Sequence, residues 1–485
     1  MKCFLIRSCY LLFLFCISVL SLNAQSNLGA QIQSILADSI LKTAIVGVSV
    51  RNTENNKVVF EQYGSKSFTP ASNLKLVTTA AGLSLLGSEY RFTTTLKYSG
   101  EISSSGEFLG VLLLNGGGDP TLGSNKMAGV VGYQTLIQNW VSVLKSKGVK
   151  DFKGSLFIDP THFEFNPIPN DYTWGDIGNY YGAGSFGFNI NENQYSLTLK
   201  PGNKIGYPAS IISIIPKDTS CTYYNSIYTG AAGSGDQTVL YSSPYNPLIY
   251  AQGTIPIGNP YTIKGSIPSP SNLFAQLFIE EMKVQGINWS GEYRILKVND
   301  DLDFGSSTWN TLIEYKSPTL KEIAIYTNLV SNNLYAECIL KEIGFKTKGI
   351  GSVVVGTNEV KKYLFRLGID TLGLVLKDGS GMSPFNSISP NQMTLLLSKQ
   401  SSNLNLKSCI PIAGKDGTVS HICKDSGGNV RVKSGTMSGT VCYSGYVNST
   451  SGIVYAVSLL VNKHDAKNRS VQRVLEKVLI KVLEN

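Results

Sequence analysis

Thr69-Pro70-Ala71-Ser72-Asn73-Leu74-Lys75-Leu76-Val77-Thr78-Thr79-Ala80-Ala81-Gly82-Leu83 is the stretch from which the fold is read. Threonine followed by proline reads as an N-cap with proline at the first helical position, where a missing N–H costs nothing. The run after Lys75 is small and apolar on every side, so the helix, expected through Leu86, belongs in the centre of a domain. Ser72 then sits in its first turn, and Lys75, three residues on, shares its face. A neutral lysine at that spacing can take the serine proton and make the hydroxyl a nucleophile. The Ser72 backbone N–H, in the first turn, is available to an oxyanion.

The spacing alone says little. Ser-x-x-Lys occurs three times, as Ser39 with Lys42, Ser72 with Lys75 and Ser142 with Lys145. The first and third fall in amphipathic helical patterns and read as solvated faces. Ser72 is set apart by two distant elements. Ser331-Asn332-Asn333 opens the run Ser331-Asn332-Asn333-Leu334-Tyr335-Ala336-Glu337, and Lys433-Ser434-Gly435-Thr436 ends a strand-like segment. Singly, these read as a helix cap and a surface lysine. In this order, with Ser72 and Lys75, they make the three-part set of a serine acyl-transfer site. Ser401-Ser402-Asn403 is a competing Ser-x-Asn, but no helical run is expected after it.

Outward from the quoted stretch, Asn27–Lys42 has apolar positions at helical spacing, and Ile45–Asn52 with Lys57–Gln62 reads as a hairpin. From Phe92 to Asn299 short β-like runs are separated by Gly, Ser, Pro and Asn, with helical stretches near Gly132–Lys147 and Ser271–Gln285. Helical patterns return at Leu320–Gly344 and Thr357–Leu367. The chain closes with strand-like Val430–Val432, Val441–Asn448 and Gly452–Asn462 and an amphipathic helix near Ser470–Leu483. The two ends can join in one sheet. The expected fold is therefore α+β: a discontinuous domain of residues 25–92 and 300–485, an antiparallel sheet flanked by helices. A β-rich region, 93–299, is inserted as one or two subdomains.

The 485 residues, 42% hydrophobic and 15% charged, have a globular composition. The net charge of +9 is scattered, with no basic block interleaved with aromatics, which argues against a nucleic-acid partner. Lys2 and Arg7 precede the apolar run Leu11–Leu20, and Ser21-Leu22-Asn23-Ala24 follows, so residues 1–24 read as a secretory signal cleaved after Ala24. That run is short for a membrane span. The mature chain is expected to be exported and at most peripherally membrane-associated. It would keep Cys221, Cys338, Cys409, Cys423 and Cys442, whose connectivity the sequence leaves open. The histidines His162, His421 and His464 are scattered and there is no Cys-x-x-Cys, so no metal, cofactor or histidine triad is expected.

With these elements in place, the chain resembles the class C low-molecular-mass penicillin-binding proteins. These are the D-alanyl-D-alanine carboxypeptidase/endopeptidases of the penicillin-binding protein 4 type. The likeness covers nearly all of the mature chain. Beyond the three elements it includes Gly116-Gly117-Gly118-Asp119-Pro120-Thr121-Leu122, Asp378-Gly379-Ser380-Gly381-Met382-Ser383 and Ala413-Gly414-Lys415-Asp416-Gly417-Thr418. The long interval between Ser72 and Ser331 is like this family and unlike β-lactamases. No Glu-x-x-Leu-Asn follows Ser331. Pro384 departs from relatives that often carry Arg there, so a contact made by that basic side chain is in doubt.

The resemblance implies a β-lactamase/transpeptidase-like core acting, without a cofactor, on peptidoglycan stem peptides ending in D-Ala-D-Ala. It also implies covalent inhibition by β-lactams and, in a Gram-negative cell, a periplasmic location. Ser72 would be the nucleophile, and Lys75 its base, with a pKa lowered by burial and by the Lys433 cation. Ser331 would relay a proton, and Asn333 would bond Lys75 or the substrate amide. Lys433, Ser434, Gly435 and Thr436 would bind substrate, Lys433 and the Thr436 hydroxyl taking the terminal carboxylate. The Thr436 N–H would join that of Ser72 at the oxyanion. A serine esterase or β-lactamase on the same core, or a silent wall-binding protein, are the alternatives. Trp174, Asp176, Tyr180 and Tyr181 are candidates for the peptide stem. Asp119 reads as a turn residue, and Asp378 and Ser380 as lining the cleft or, more simply, as shaping a loop.

Overall fold

The computed structural model describes residues 28–298, 300 and 308–485. The expected signal segment, residues 1–24, lies outside the described residues. Strands from the two ends of the chain share one five-stranded antiparallel sheet. Its order is Val430–Met437, Thr440–Asn448, Val454–Asn462, Ile45–Asn52 and Val58–Gln62. Ile45 faces Asn462 and Asn52 faces Tyr455, so the strand near the N-terminus is locked in register to one near the C-terminus.

The inner strands are buried at almost every position and not at alternate ones, because both faces are covered. On one face Val46, Val48 and Val50 meet Leu28, Ile32 and Leu36 of the helix at 28–36 and Val471, Val474 and Leu475 of the helix Asn468–Leu483. On the other, Cys442, Tyr446 and Leu460 meet the helices Leu74–Leu85 and Pro390–Lys399. The fold is α+β, with helices on both sides of the sheet.

Leu74–Leu85 is buried from Leu74 through Leu83, as its small apolar sequence requires. A Cβ added at Gly82 would come 2.7 Å from Ile339 Cγ2, so glycine lets the helix Asn333–Lys348 close on it. Its start differs from expectation. Ala71–Asn73 form a 3-10 turn ahead of the α-helix, and no side chain caps either. Thr69 Oγ1 instead donates to the Pro384 carbonyl at 3.2 Å. The reason is Ala71, which takes a left-handed φ of 46° and cannot continue from a standard cap.

The expected helix 320–344 is two helices, Leu320–Val330 and Asn333–Lys348. Ser331 breaks them with φ 61° and ψ 39°, and Asn332 caps the second by accepting the Tyr335 N–H. Leu320–Val330 opens on a capping box between Thr319 and Glu322.

Between the two ends lie three further sheets. A seven-stranded mixed sheet is covered by the helices Tyr133–Ser146 and Pro270–Val284 through Trp140, Phe274 and Phe278. Its strand Thr93–Ile102 pairs with Asn310–Lys316, beyond the residue 299 at which the inserted region is expected to close. Two three-stranded sheets enclose a separate core that includes Leu197, Ile227, Leu240 and Ile249. Cys221, Cys338, Cys409, Cys423 and Cys442 are free thiols. Among the described residues no helix is long and apolar enough to cross a membrane.

Candidate active site

The Ser72 turn, the start of the helix Asn333–Lys348 and the edge strand Val430–Met437 meet at one end of the five-stranded sheet. Gly435 makes that meeting possible: a Cβ there would lie 2.7 Å from the Pro70 carbonyl and 3.1 Å from the Ser72 nitrogen. From the other side, the Asp378–Ser383 loop presses on the same turn. A Cβ at Gly381, whose φ is 83°, would fall 1.9 Å from the Ala71 carbonyl. The left-handed Ala71 between these two contacts carries strain of about 1 kcal/mol directly beside the serine.

Lys75 is wholly buried. Its Nζ lies 2.9 Å from Ser72 Oγ, 2.6 Å from Asn333 Oδ1 and 2.8 Å from the Ser380 carbonyl. Asn333 cannot turn its amide around, because Nδ2 donates to the Tyr181 carbonyl at 2.8 Å. Asn333 Oδ1 and the Ser380 carbonyl can only accept. They use both N–H bonds of a neutral amine and leave its lone pair to receive the Ser72 hydroxyl proton. Burial favours that neutral form and brings the Lys75 pKa down to about 7, against the opposing pull of Asp378 and then Glu337. An amine titrating near neutrality suits a general base.

Lys433 is equally buried, and its Nζ donates to Ser331 Oγ at 3.0 Å and to the Ser434 carbonyl at 2.7 Å. Burial, and after it repulsion from Lys75, holds its pKa well below the usual lysine range. For Lys75 the lowering cause is burial, and Lys433 is not among the groups that shift it. The expectation that the Lys433 cation lowers Lys75 is corrected accordingly. Lys433 also stands behind Ser331, with no exposed surface to offer a carboxylate. Thr436 is exposed, and Ser434 Oγ is tied to Thr418 Oγ1 at 2.7 Å.

The cavity in front of Ser72 has a volume of about 590 Å³. Ser72, Ser331, Asn333 and Thr436 line it from the core, and Asp176 and Tyr181 from the inserted region. Asp176 accepts from Thr173 Oγ1 at 2.7 Å and from the Tyr181 hydroxyl at 3.2 Å. Pro384 lines the cavity too, so no basic side chain stands there.

Glu337 and Tyr172, which had no expected role, contribute to the site together with Asp378. Glu337, buried, accepts the N–H groups of Gly379 and Ser380 at 3.0 and 2.8 Å and the Tyr172 hydroxyl at 3.0 Å. Asp378 accepts the N–H groups of Gly381 and Ser383 at 2.7 and 2.6 Å, and its pKa rises to about 7 through burial and then Glu337. These two carboxylates fold the loop that aims the Ser380 carbonyl at Lys75, while Tyr172 steadies Glu337 from the inserted region. Of the two readings open for this pair, Asp378 shapes the loop, while Ser380 reaches Lys75 through its backbone carbonyl. Glu337 lies one helical turn after Asn333, a buried acid on the same face.

The competing motifs stay apart. Ser142 and Lys145 lie exposed and donate to Gln138 and Gln285. Ser39 opens a 3-10 turn, not an amphipathic helix. A short helix, Leu404–Ser408, does follow Ser401-Ser402-Asn403, and Asn403 merely caps it. Asp119 closes its turn by accepting from the Thr121 N–H and hydroxyl at 2.8 and 2.7 Å.

A serine within hydrogen-bond reach of a buried lysine, at the start of a helix packed against an antiparallel sheet, defines a serine hydrolase of the penicillin-recognising fold. The chain matches the model of the D-Ala-D-Ala carboxypeptidase 3 (S13) family over residues 28–481 and belongs to that family. It is 29% identical to a D-alanyl-D-alanine carboxypeptidase of an Actinomadura species, over 90% of this chain and 81% of that protein. It is 24% identical to the D-alanyl-D-alanine carboxypeptidase DacB of Haemophilus influenzae, over 88% of each. The fold matches the crystal structure of penicillin binding protein 4 from Haemophilus influenzae with a TM-score of 0.79, at 21% identity, covering 93% of this chain and 98% of that one. The protein is a serine-type D-Ala-D-Ala carboxypeptidase.

Proposed function

We propose that Ser72 cleaves peptidoglycan stem peptides ending in D-Ala-D-Ala through an acyl-enzyme, with Lys75 as the base. The carrying observation is the triple contact of Lys75 Nζ with Asn333 Oδ1, the Ser380 carbonyl and Ser72 Oγ. Ser72 passes its proton to Lys75, and Oγ adds to the carbonyl carbon of the penultimate D-Ala. The N–H groups of Ser72 and Thr436 hold the oxyanion; losing one such donor typically costs about 10²–10³ in rate. Collapse breaks the C–N bond, and the leaving amine takes a proton through Ser331, which Lys433 orients. Water then adds to the ester and frees Ser72.

The Thr436 hydroxyl, beside Ser434, meets the terminal carboxylate. Lys433 acts from behind Ser331. Asp176 and Tyr181 offer polar groups to the stem, and Asn333 ties them to the base through the Tyr181 carbonyl. A D-alanyl cross-link presents the same carbonyl with a larger leaving group, so D,D-endopeptidase cleavage belongs to the same site. Penicillin would acylate Ser72, and with the signal-like N-terminus the enzyme would work in the periplasm of a Gram-negative cell. The discontinuous catalytic domain, 25–92 with 300–485, and the inserted region 93–299 belong to the same proposal.

Fluorescent penicillin labelling and D-Ala release from a pentapeptide test the assignment. Both are expected in the wild type and lost in Ser72→Ala. Retention of either in that variant would assign the nucleophile elsewhere.

A further inference from the structure

One three-stranded sheet of the inserted region turns an aromatic face to solvent. Its strands are Gln237–Tyr241, Leu248–Pro256 and Thr222–Gly230, in that spatial order. Tyr241 pairs with Tyr250, and Tyr250 with Tyr224, so three tyrosines stand in one row across the sheet. Ile249, Ala251, Ile227 and Leu240 point the other way, into the subdomain core. Tyr224 and Tyr250 stack at 4.8 Å and remain about half exposed, at 48% and 49%. Beyond Tyr241 the row continues to Trp174, 5.2 Å away and 70% exposed. Trp174 opens the short helix Trp174–Ile177, whose Asp176 lines the Ser72 cavity. The aromatic row therefore ends at Trp174, between the cavity-lining Thr173 and Asp176, beside the mouth of the active site.

The chemistry of this face is specific. The next row on the same side is Ser226, Gln252 and Val239, and every outward position of the three strands is uncharged. Gln252 Nε2 donates to the Tyr241 hydroxyl at 3.2 Å, leaving amide and phenol groups among the rings. Although the chain carries a net charge of +9, this face has no cation to grip a phosphate or an anionic lipid. Rings with polar tips, hydroxyls and an amide fit a neutral ligand with apolar faces and many hydroxyl and acetamido groups.

We infer that the Tyr224–Tyr250–Tyr241–Trp174 row binds the β-linked N-acetylated amino-sugar chain that carries the stem peptides. The face ends beside the cleft, so a glycan laid along it presents a pendant peptide to Ser72. Holding polymer and enzyme together raises the effective concentration of neighbouring peptides at the site. The inference rests on the peptidoglycan reading above, and the experiment separates the two.

The test uses the mature full-length enzyme and glycan strands stripped of their peptides by an amidase. Wild-type enzyme is expected to bind the stripped strands, and Tyr224→Ala/Tyr250→Ser to bind them about ten-fold more weakly or worse. The variant should hydrolyse a soluble pentapeptide at the wild-type rate, which also shows that it folds. Tyr228→Ser, on the same sheet but outside the row, controls for general loss of the face. Equal binding by wild type and double variant, or no binding by wild type, would overturn the glycan site. So would wild-type dimerisation that the double variant abolishes, since the face would then join two copies. Failure of the wild type on the soluble pentapeptide would count against the peptidase reading and not against this one.

Discussion

Gly435 holds the edge strand so close to Ser72 that a Cβ there would lie 3.1 Å from the Ser72 nitrogen. Two backbone segments, the Ser72 turn and the strand bearing Thr436, are in contact with no side chain between them. Gly435→Ala forces them apart by a few tenths of an ångström, because the Pro70 carbonyl on the same side is backbone and cannot swing away. The overpacking costs about 1–3 kcal/mol of stability. Separating the Ser72 and Thr436 amides should slow acylation by about 10²-fold. Stopped-flow acylation with a reporter penicillin, beside a thermal melt, measures both. A rate within two-fold of wild type would place the oxyanion donors elsewhere.

Asn333 faces the Lys75 amine with an uncharged oxygen. Asn333→Asp would put a carboxylate where Oδ1 now lies 2.6 Å from Lys75 Nζ. An opposite charge at that distance favours the ammonium and raises a lysine pKa by about 1–3 units. In the wild type, with Lys75 at about 7, acylation should rise with pH through neutrality, since only the neutral amine accepts the serine proton. In the variant the same limb moves to higher pH, leaving little activity at neutral pH and partial recovery in alkali. The pH–rate profile of acylation checks this. A lower rate with an unmoved limb would show that Asn333 acts on the substrate alone.

The residues of this site were legible as types and order, but not as a hydrogen-bond pattern. Ser72, Lys75, Ser331, Asn333 and Lys433 carry their chemistry in side chains, and the three elements bring them together as spaced. The Ser380 carbonyl was invisible because any residue has one; only the loop path folded around Glu337 and Asp378 gives it a role. The expected cap at Thr69 failed because tertiary contacts from Gly381 and Gly435 dictate the Ala71 conformation, overriding local preference. The helix break at Ser331 did have a signal in Ser331-Asn332-Asn333, three residues with a taste for caps inside an otherwise helical pattern. The sheet was readable from β-branched runs at both ends of the chain. The partner of Thr93–Ile102 at Asn310–Lys316 was not, because strand pairing across so long an interval leaves no local mark.

Lys433 separates burial from repulsion as the agent acting on Lys75. Lys433→Met keeps the length and bulk of the side chain and removes its amine. Burial being the lowering cause, the acidic limb should stay within about half a pH unit of wild type. The acylation rate should still fall by about ten-fold or more, because Ser331 Oγ loses the donor that orients it at 3.0 Å. Any shift from lost repulsion must be upward, since removing a like charge makes Lys75 easier to protonate. A rise of more than about one unit would therefore restore the Lys433 cation as the principal cause.

Glu337 and Tyr172 test whether the loop carboxylate works by charge, by position or by both. Glu337→Gln keeps the shape and removes one negative charge near the base. That charge favours the Lys75 ammonium, so its loss moves the acidic limb below about 7. The amide has a second consequence. Glu337 now accepts from the N–H groups of both Gly379 and Ser380, and a glutamine must turn an NH₂ toward one of them. The loop loosens and the Ser380 carbonyl drifts from Lys75, which should cost about 10–10²-fold in acylation rate. Tyr172→Phe removes a donor at 3.0 Å from Glu337 without changing any charge. It should lower the rate by a smaller factor and leave the limb where it is. Matching profiles in the two variants would mean that Glu337 acts through position alone. A full rate with a shifted limb in Glu337→Gln would mean that it acts through charge alone, with the Ser380 carbonyl held by the rest of the loop.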